Sequence, residues 1–232
     1  MHLFYIPEIH AASNEVKLSE EESKHACKVL RLKKGDKISL LNGKGDSFVG
    51  EIIEDHPKHC LISIKSHAFE EQSPNQIHIA IAPTKNIERI EWFVEKTTEL
   101  GITEISLFFS KNSERKHLKI ERIEKIIISA MKQSQRKYLP KLNVFSSLEE
   151  FFKVHTTGAI AHCYQGNKLA LKSNLKKTKY PILIGPEGDF TQEEVELALK
   201  KGFDPITLGK NRLRTETAGL YACMQAKLIL ES

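Results

Sequence analysis

The pattern of apolar and polar positions changes near residue 72 and predicts a different kind of structure on each side. Before that point, Ser19 and Glu22 form a capping-box pattern that opens a short helix. Short β-prone runs separated by turn residues follow, with the spacing of a small antiparallel barrel. These runs cover residues 37–41, 47–54 and 60–67. The polar segment 70–76 is typical of a linker, so we predict a β-rich N-terminal domain over residues 1–72.

After residue 76, apolar strand-like runs alternate with helical patterns. The predicted strands cover residues 77–82, 103–109, 142–145, 158–163, 181–184 and 205–208. The predicted helices are one from Asn86 to Gly101, one that carries Ile120 to Met131, and three over 148–154, 192–201 and 215–230. Near-continuous apolar strands that alternate with helices indicate a parallel α/β sheet covered on both faces. We assign this second domain to residues 73–232.

Two glycine-containing loops late in the chain are the most informative feature of the second domain. Residues 185–190 and 208–218 each join a predicted strand to a predicted helix. In an open parallel sheet, ligands bind outside the carboxyl ends of the strands. Gly185 and Gly188 allow a close main-chain approach, and the run after Gly209 offers N–H and C=O groups to an adenine edge. The pattern predicts a small-molecule pocket without identifying the molecule.

Several common catalytic signatures are missing. Gly209-Lys210 is followed by Asn211 and therefore does not form a P-loop, and no G-x-G-x-x-G, G-x-S-x-G or H-E-x-x-H pattern occurs. The four cysteines contain no C-x-x-C pair, so we expect buried free thiols and no metal site. Hydrolase and metalloenzyme functions have no support. A nucleotide-binding oxidoreductase lacks its glycine fingerprint.

Charge and hydropathy indicate which binding partner and which cellular compartment to expect. The net charge of +5 is modest, but basic residues cluster. The clusters are Lys24 to Lys37, Lys111 to Lys119, Lys132 to Lys141, Lys172 to Lys179 and Lys210 to Arg214. Such patches suit RNA, although a lysine-rich surface also serves solubility alone. No apolar run approaches the roughly 18 residues that cross a bilayer, so we expect a soluble, cytoplasmic protein that does not bind membranes.

The loop sequences resemble the signature of the SPOUT methyltransferases, and of the RsmE family in particular. The resemblance rests on Gly185-Pro186-Glu187-Gly188, on Leu208-Gly209 and on Leu213-Arg214-Thr215-Glu216-Thr217-Ala218. It also includes His25, Lys34-Gly35-Asp36, residues 85–91, Lys96, residues 99–101 and 113–115, and Gln133 to Arg136. One departure is Asp189, which stands where the family usually has a second glycine.

Membership of this family implies methylation of uridine N3 in 16S ribosomal RNA of the small subunit. The resemblance also implies a PUA-like N-terminal β-barrel, a C-terminal trefoil knot, S-adenosylmethionine bound in that knot, and a homodimer. We expect the cofactor to be bound by the two loops and by His162, for which a core or surface role is the alternative. The expected residues are Ile184, Gly185, Pro186, Glu187, Gly188, Leu208, Gly209, Leu213, Arg214, Thr215, Thr217, Ala218 and His162.

Arg214 and Glu216 are the candidate catalytic residues. A guanidinium beside the methyl donor can pair with the developing oxyanion of the base or with its phosphate, and Glu216 can orient Arg214 or accept a proton. The alternative is an Arg-Glu pair that only holds the knot together. For RNA contact we expect Lys24, Lys28, Arg31, Lys85, Arg89, Arg115 and Arg136, with solvated-face roles as the alternative.

Two other functions stay open at this point. The first is a SPOUT enzyme that acts on transfer RNA, for example on a ribose hydroxyl. The second is a non-catalytic ribosome-assembly factor that binds RNA and retains the loops. The intact 213–218 string favours an active enzyme, and the expected PUA-like barrel favours the ribosomal substrate.

Overall fold

The computed structural model describes residues 1–175 and 180–231, and their backbone contacts divide them into two compact units. The first unit contains Met1–Gln72 together with Met131–Leu139. The second contains Ser73–Ala130 and the chain from Pro140 onward. Residues 131–139 lie outside the predicted N-terminal domain, so the first unit includes a segment from the middle of the chain. Of the basic cluster Lys172 to Lys179, residues 176–179 lie outside the described residues.

The first unit is built on a five-stranded sheet with the order β1-β3-β4-β5-β2. The strands are β1 (Leu3–Tyr5), β2 (Glu15–Lys17), β3 (Lys37–Leu41), β4 (Asp46–Glu54) and β5 (Leu61–Phe69). The β1–β3 pair is parallel and the other pairs are antiparallel. Helix α1 (Glu20–Lys24) begins where the Ser19 hydroxyl accepts a hydrogen bond from Glu22 N at 3.2 Å, and a π-helical turn, His25–Val29, follows it.

Alternation along the strands places one side of this sheet in a core. Ile38 and Leu40 on β3 are fully buried, as are Ile52 on β4 and Ile62 on β5. Because successive side chains of a strand point to opposite faces, this spacing buries one face and leaves the other to polar residues. Phe4 from β1 joins the same cluster.

Residues 131–139 contribute main-chain contacts to the first unit. Gly45 N donates to the Lys137 carbonyl at 3.0 Å, and Leu139 N donates to the Gly43 carbonyl at 2.9 Å. Gly45 has a φ of +102°, which favours glycine, and a side chain there would clash with the Tyr138 ring. The β3–β4 turn is therefore closed by a segment distant in sequence.

The second unit contains a seven-stranded, entirely parallel sheet with the order β10-β12-β9-β11-β6-β7-β8. Its strands are β6 (His78–Ile81), β7 (Glu104–Phe108), β8 (Lys141–Phe145), β9 (Gly158–Ala161), β10 (Leu169–Ala170), β11 (Ile182–Ile184) and β12 (Phe203–Thr207). Its helices are α2 (Ile87–Leu100), α3 (Ile120–Gln133, whose last three residues belong to the first unit), α4 (Leu148–Val154), α5 (Leu171–Asn174), α6 (Gln192–Lys200) and α7 (Thr215–Glu231). The predicted parallel α/β sheet is confirmed.

Helices cover both faces of this sheet. Ala80 of β6 belongs to a core cluster that contains Phe151 of α4 and Ala198 of α6. The neighbouring Ile81 points to the opposite face, where Gly219 of α7 lies against it. The alternation along β6 therefore explains why helices pack on each side.

The local start and stop signals of the helices are confirmed in two cases. The Asn86 side chain caps α2, which ends at Gly101 with a φ of +97°, and Thr191 forms a reciprocal capping box with Glu194 at the start of α6. The sequence pattern does not predict β1, β2, β10 and α5, because elements of two to four residues are too short to show a period. Within the described part of the chain, no helix is long and apolar enough to cross a membrane.

Candidate functional site

A cavity of about 660 Å³ lies at the carboxyl ends of β9, β11 and β12 in the second unit. It is lined by ten of the residues predicted to hold the cofactor in the two loops and by His162. The ten are Ile184, Gly185, Pro186, Glu187, Leu208, Gly209, Leu213, Arg214, Thr215 and Ala218. The predicted residues Gly188 and Thr217 do not line it. The two loops thus lie together at the carboxyl ends of the strands, where ligands bind in an open parallel sheet, although β9 separates β11 from β12.

Nine other lining residues are not among the predicted cofactor-binding residues, although four of them lie within the two predicted loops. The nine are Ala161, Cys163, Lys168, Asp189, Ile206, Thr207, Lys210, Asn211 and Arg212. Ala161 ends β9, and Cys163 and Lys168 belong to the segment after it, which carries no glycine signature. The position of β9 between β11 and β12 brings that segment to the cavity. Cys163 is exposed here, which contradicts the expected burial of all four thiols, whereas Cys60 and Cys223 are buried.

Main-chain geometry shapes the β12 side of the cavity. Gly209 has a φ of +128°, a conformation that residues with a side chain rarely adopt. The Thr207 hydroxyl accepts a hydrogen bond from Gly209 N at 3.2 Å and lies 3.0 Å from the Gly209 carbonyl oxygen. This short loop is therefore held by its own strand, in a shape that requires glycine.

Asp189 joins the β9 and β11 sides of the cavity. Its carboxylate accepts hydrogen bonds from Cys163 N and from Phe190 N, each at 2.8 Å. Its φ of +64° lies in the left-handed region, which aspartate tolerates better than most residues. Asp189 therefore accommodates a left-handed backbone at this position and adds a carboxylate link between two loops.

His162 presents an unpaired polar atom at the cavity. Its Nδ1 is buried and has no hydrogen-bond partner among the described residues. Burial, with a smaller contribution from the Lys168 charge, lowers the pKa of His162. Lys168 Nζ donates to the carbonyl of His162 at 2.9 Å and to that of Tyr164 at 2.7 Å. The neutral ring nitrogen is available to a bound ligand.

The structure separates the two candidate catalytic residues. Arg214 is exposed on the cavity wall, whereas Glu216 is buried in the first turn of α7 and does not line the cavity. Glu216 Oε1 lies 3.8 Å from Arg89 Nε, and no ion pair joins Glu216 to Arg214 within the described chain. Arg214 directly precedes α7, whereas Glu216 is the second residue of that helix and lies against Arg89, so the expected Arg214–Glu216 pair does not form.

Two of the residues predicted to contact RNA instead organise a loop beside the cavity. Arg115 donates from Nε to the Thr84 carbonyl at 3.0 Å and from a terminal nitrogen to the Lys85 carbonyl at 2.5 Å. Lys85 N donates to Glu187 Oε1 at 3.0 Å, and its ammonium pairs with Glu114 at 2.8 Å. Hydrogen bonds to two carbonyls make Arg115 a loop-holding residue.

Of the remaining basic candidates, Arg89 lies on α2 of the second unit, and the other four belong to the first unit. Lys24, Lys28 and Arg31 are exposed along α1 and the π-helical turn that follows it. Arg136 lies in the 131–139 segment and is partly buried.

The fold and the cavity have the form of an RNA methyltransferase. Residues 71–227 match a family model described as an RNA methyltransferase domain, and residues 18–65 match one described as an RNA methyltransferase PUA domain.

Individual relatives specify which kind of RNA methyltransferase the chain resembles. A ribosomal RNA small subunit methyltransferase E from Buchnera aphidicola subsp. Acyrthosiphon pisum is 34% identical over 88% of this chain and 84% of the relative. A probable rRNA-methyltransferase from Porphyromonas gingivalis has a TM-score of 0.88 and 37% identity, covering 100% of this chain and 99% of the other. The ribosomal RNA small subunit methyltransferase E structure from Neisseria gonorrhoeae, bound to S-adenosyl methionine, has a TM-score of 0.84 and 27% identity over 97% and 96%. The chain belongs to the ribosomal RNA small subunit methyltransferase E family.

Proposed function

We propose that the protein transfers a methyl group from S-adenosylmethionine to N3 of a uridine in 16S ribosomal RNA. The observation that carries this proposal is the cavity, because it brings the two signature loops together with Arg214 on its wall. Its volume of about 660 Å³ is within the range of small-molecule sites, roughly 300–1,000 Å³. The Neisseria gonorrhoeae relative was crystallised with the same cofactor.

The residues present fit S-adenosylmethionine. The run from Leu208 to Leu213 offers main-chain donors and acceptors for an adenine edge, and the buried Nδ1 of His162 lacks a partner among the described residues. We assign cofactor binding to these groups and to residues 184–187 of the β11 loop, whereas Gly188 and Thr217 contribute to loop and helix geometry. When bound, S-adenosylmethionine supplies an electrophilic methyl group on a sulfonium.

Arg214 is the residue that we assign to uracil. Uracil N3 is a poor nucleophile while protonated, so the site must stabilise the negative charge that develops on the base as the proton leaves. The exposed guanidinium on the cavity wall can donate two hydrogen bonds to that charge. Glu216 is a positioning residue in this mechanism, since its carboxylate faces Arg89 and does not line the cavity.

The basic side chains supply RNA contacts outside the cavity. We assign phosphate contact to Lys24, Lys28 and Arg31, which are exposed on the first unit. Two secondary candidates are Lys85 and Arg89, because each is paired with a carboxylate. Arg136 is a third, because it is partly buried. Phosphate contact predicts a strong salt dependence of RNA binding.

We also propose the finer architecture that the family implies. Residues 1–72 form a PUA-like barrel, residues 73–232 form a SPOUT domain, and the segment around the 208–218 loop is threaded into a trefoil knot. Exposed apolar side chains at Tyr221, Met224 and Leu228 follow one face of α7, which supports a homodimer that uses this helix. A ribosomal substrate supports a cytoplasmic location.

The test combines cofactor binding with product identification. Wild type and Arg214→Ala are compared with Lys210→Ala, which removes another charge from the same wall. We expect selective binding of S-adenosylmethionine over NADH, and 3-methyluridine in 16S RNA from unmethylated small subunits. Arg214→Ala should lower turnover at least about 100-fold while the cofactor Kd stays within about threefold, and Lys210→Ala should retain most activity.

Three outcomes contradict this assignment. Loss of cofactor binding in Arg214→Ala makes Arg214 a structural residue. Ribose methylation of transfer RNA, with no 3-methyluridine in 16S RNA, favours the transfer-RNA alternative. Absence of methyl transfer to small subunits and to free RNA favours a non-catalytic assembly factor.

A further inference from the structure

A second cluster of chemically active side chains lies in the second unit. The imidazoles of His78 and His155 and the carboxylate of Glu104 place one ligand atom each within 4.8 Å of one another. His78 and Glu104 are the first residues of β6 and β7 and are paired in register. His155 directly follows α4. The cluster therefore lies at the amino-terminal edge of the sheet, whereas the cavity lies at the carboxyl edge.

We propose that His78, Glu104 and His155 bind a divalent transition-metal ion. Two imidazole nitrogens and one carboxylate oxygen are a ligand set used by zinc, and they leave a fourth tetrahedral position for water. Imidazole ligands favour Zn²⁺, Co²⁺ and Ni²⁺ over Mg²⁺ and Ca²⁺, which prefer oxygen. The site is independent of the proposed methyl transfer.

Each side chain is held by a neighbouring group, as is typical of metal ligands. His78 Nε2 is 2.8 Å from Ser106 Oγ, which leaves Nδ1 for an ion. Asn143 Nδ2 donates to Glu104 Oε1 at 2.6 Å. The His155 ring stacks on Phe151 with 4.4 Å between centroids. These contacts support side-chain positions in which the three ligand atoms lie within 4.8 Å of one another.

The geometry requires only a small adjustment for binding. Ligand atoms around a tetrahedral zinc ion lie about 3.3 Å apart, given metal–nitrogen distances near 2.0 Å. The 4.8 Å limit of this cluster therefore has to contract by about 1.5 Å at most. Glu104 and His155 are partly exposed and can rotate, while His78 is buried and fixed.

The charge at the cluster is compatible with an ion. Lys141 Nζ lies 3.5 Å from Glu104 Oε1, and its ammonium is the competing cation. The Lys141 side chain is largely exposed, so an ion can displace it into solvent.

The experiment uses the full chain after removal of metals with a chelator. Co²⁺ is titrated while the visible d–d absorption is recorded, Zn²⁺ is titrated by calorimetry, and Mg²⁺ serves as the comparison ion. His155→Gln and Glu104→Gln remove one ligand each from partly exposed positions. His59→Gln is the matched control, because His59 contacts the Glu54 carboxylate at 2.8 Å in the first unit.

We expect one Co²⁺ per wild-type chain with the intense bands of a tetrahedral site, and tighter binding of Zn²⁺ than of Mg²⁺. His155→Gln and Glu104→Gln should each weaken Zn²⁺ binding at least about 100-fold, whereas His59→Gln should bind as wild type does. The proposal is overturned if wild type shows no saturable binding, or if the ligand variants bind as tightly as wild type. An equal loss in His59→Gln also overturns it.

Discussion

Replacement of Asp189 by glycine tests whether the carboxylate link between the β9 and β11 loops supports the cavity. The variant introduces the glycine that the RsmE family usually has at this position. It removes the two hydrogen bonds that Asp189 accepts from Cys163 N and Phe190 N. It also places glycine at a φ of +64°, where glycine is unstrained. The two effects therefore have opposite signs.

The magnitudes of the two effects predict a net loss of loop stability in Asp189→Gly. Hydrogen bonds to a charged acceptor contribute about 1.5–3 kcal/mol each, and the lower value applies because Asp189 is partly exposed. The two bonds together contribute about 3 kcal/mol, while relief of the left-handed backbone returns about 1 kcal/mol. The net loss of about 2 kcal/mol acts on two loops that line the cavity. A ligand must then order them, and since about 1.4 kcal/mol corresponds to a tenfold change, we expect its affinity to fall by up to about 30-fold.

The assay is calorimetric titration of S-adenosylhomocysteine into wild type, Asp189→Gly and Asp189→Asn. The asparagine variant tolerates the same φ and keeps one carbonyl acceptor, so its affinity should lie between the other two. Thermal unfolding of all three verifies that the fold is retained. An Asp189→Gly protein that binds within twofold of wild type would refute a supporting role for the carboxylate.

Three further predictions concern stability. Gly219→Ala places a Cβ 2.7 Å from the Phe93 ring, so chemical denaturation should show a loss of about 1–3 kcal/mol, and a gain would contradict this packing. Thr191→Ala removes the α6 cap and should cost about 1 kcal/mol in the same assay; no loss would show that the cap is dispensable. The hydrogen bond with His67 lowers the pKa of Asp46 in the folded protein. The ionised Asp46 carboxylate therefore stabilises the fold above about pH 4, and this stabilisation is lost as the pH falls through the lowered folded-state pKa. The stability difference between wild type and Asp46→Asn should therefore shrink in acid, and a difference that stays constant to pH 2 would contradict it.

The parts of the fold that the sequence predicts are those with strong local signals. Asn86 and Gly101 mark α2 because a side-chain cap and a left-handed terminus are properties of single residues. The loops that line the cavity were recognised in the same way, from glycines that follow apolar runs. Short edge strands such as β1 and β10 have no such signal, since their pairing depends on neighbours far along the chain.

The features that escaped prediction depend on three-dimensional register. The sequence predicts that Glu216 can orient the neighbouring Arg214. In the structure, however, the direction of α7 turns the Glu216 carboxylate toward Arg89. His78 and Glu104 become neighbours only because β6 and β7 pair in parallel register, and no local spacing reveals this. His162 was recognised only by its position at the end of a strand.

The position of residues 131–139 affects the order in which the chain can fold during synthesis. The first unit is complete only when this segment supplies the partners of Gly43 and Gly45, about 60 residues after Gln72 has left the ribosome. By then β6, α2 and β7 of the second unit have also been made. During synthesis, the β3–β4 turn of the first unit therefore lacks these hydrogen-bond partners until residues 131–139 emerge. A fragment that ends at residue 72 lacks them permanently.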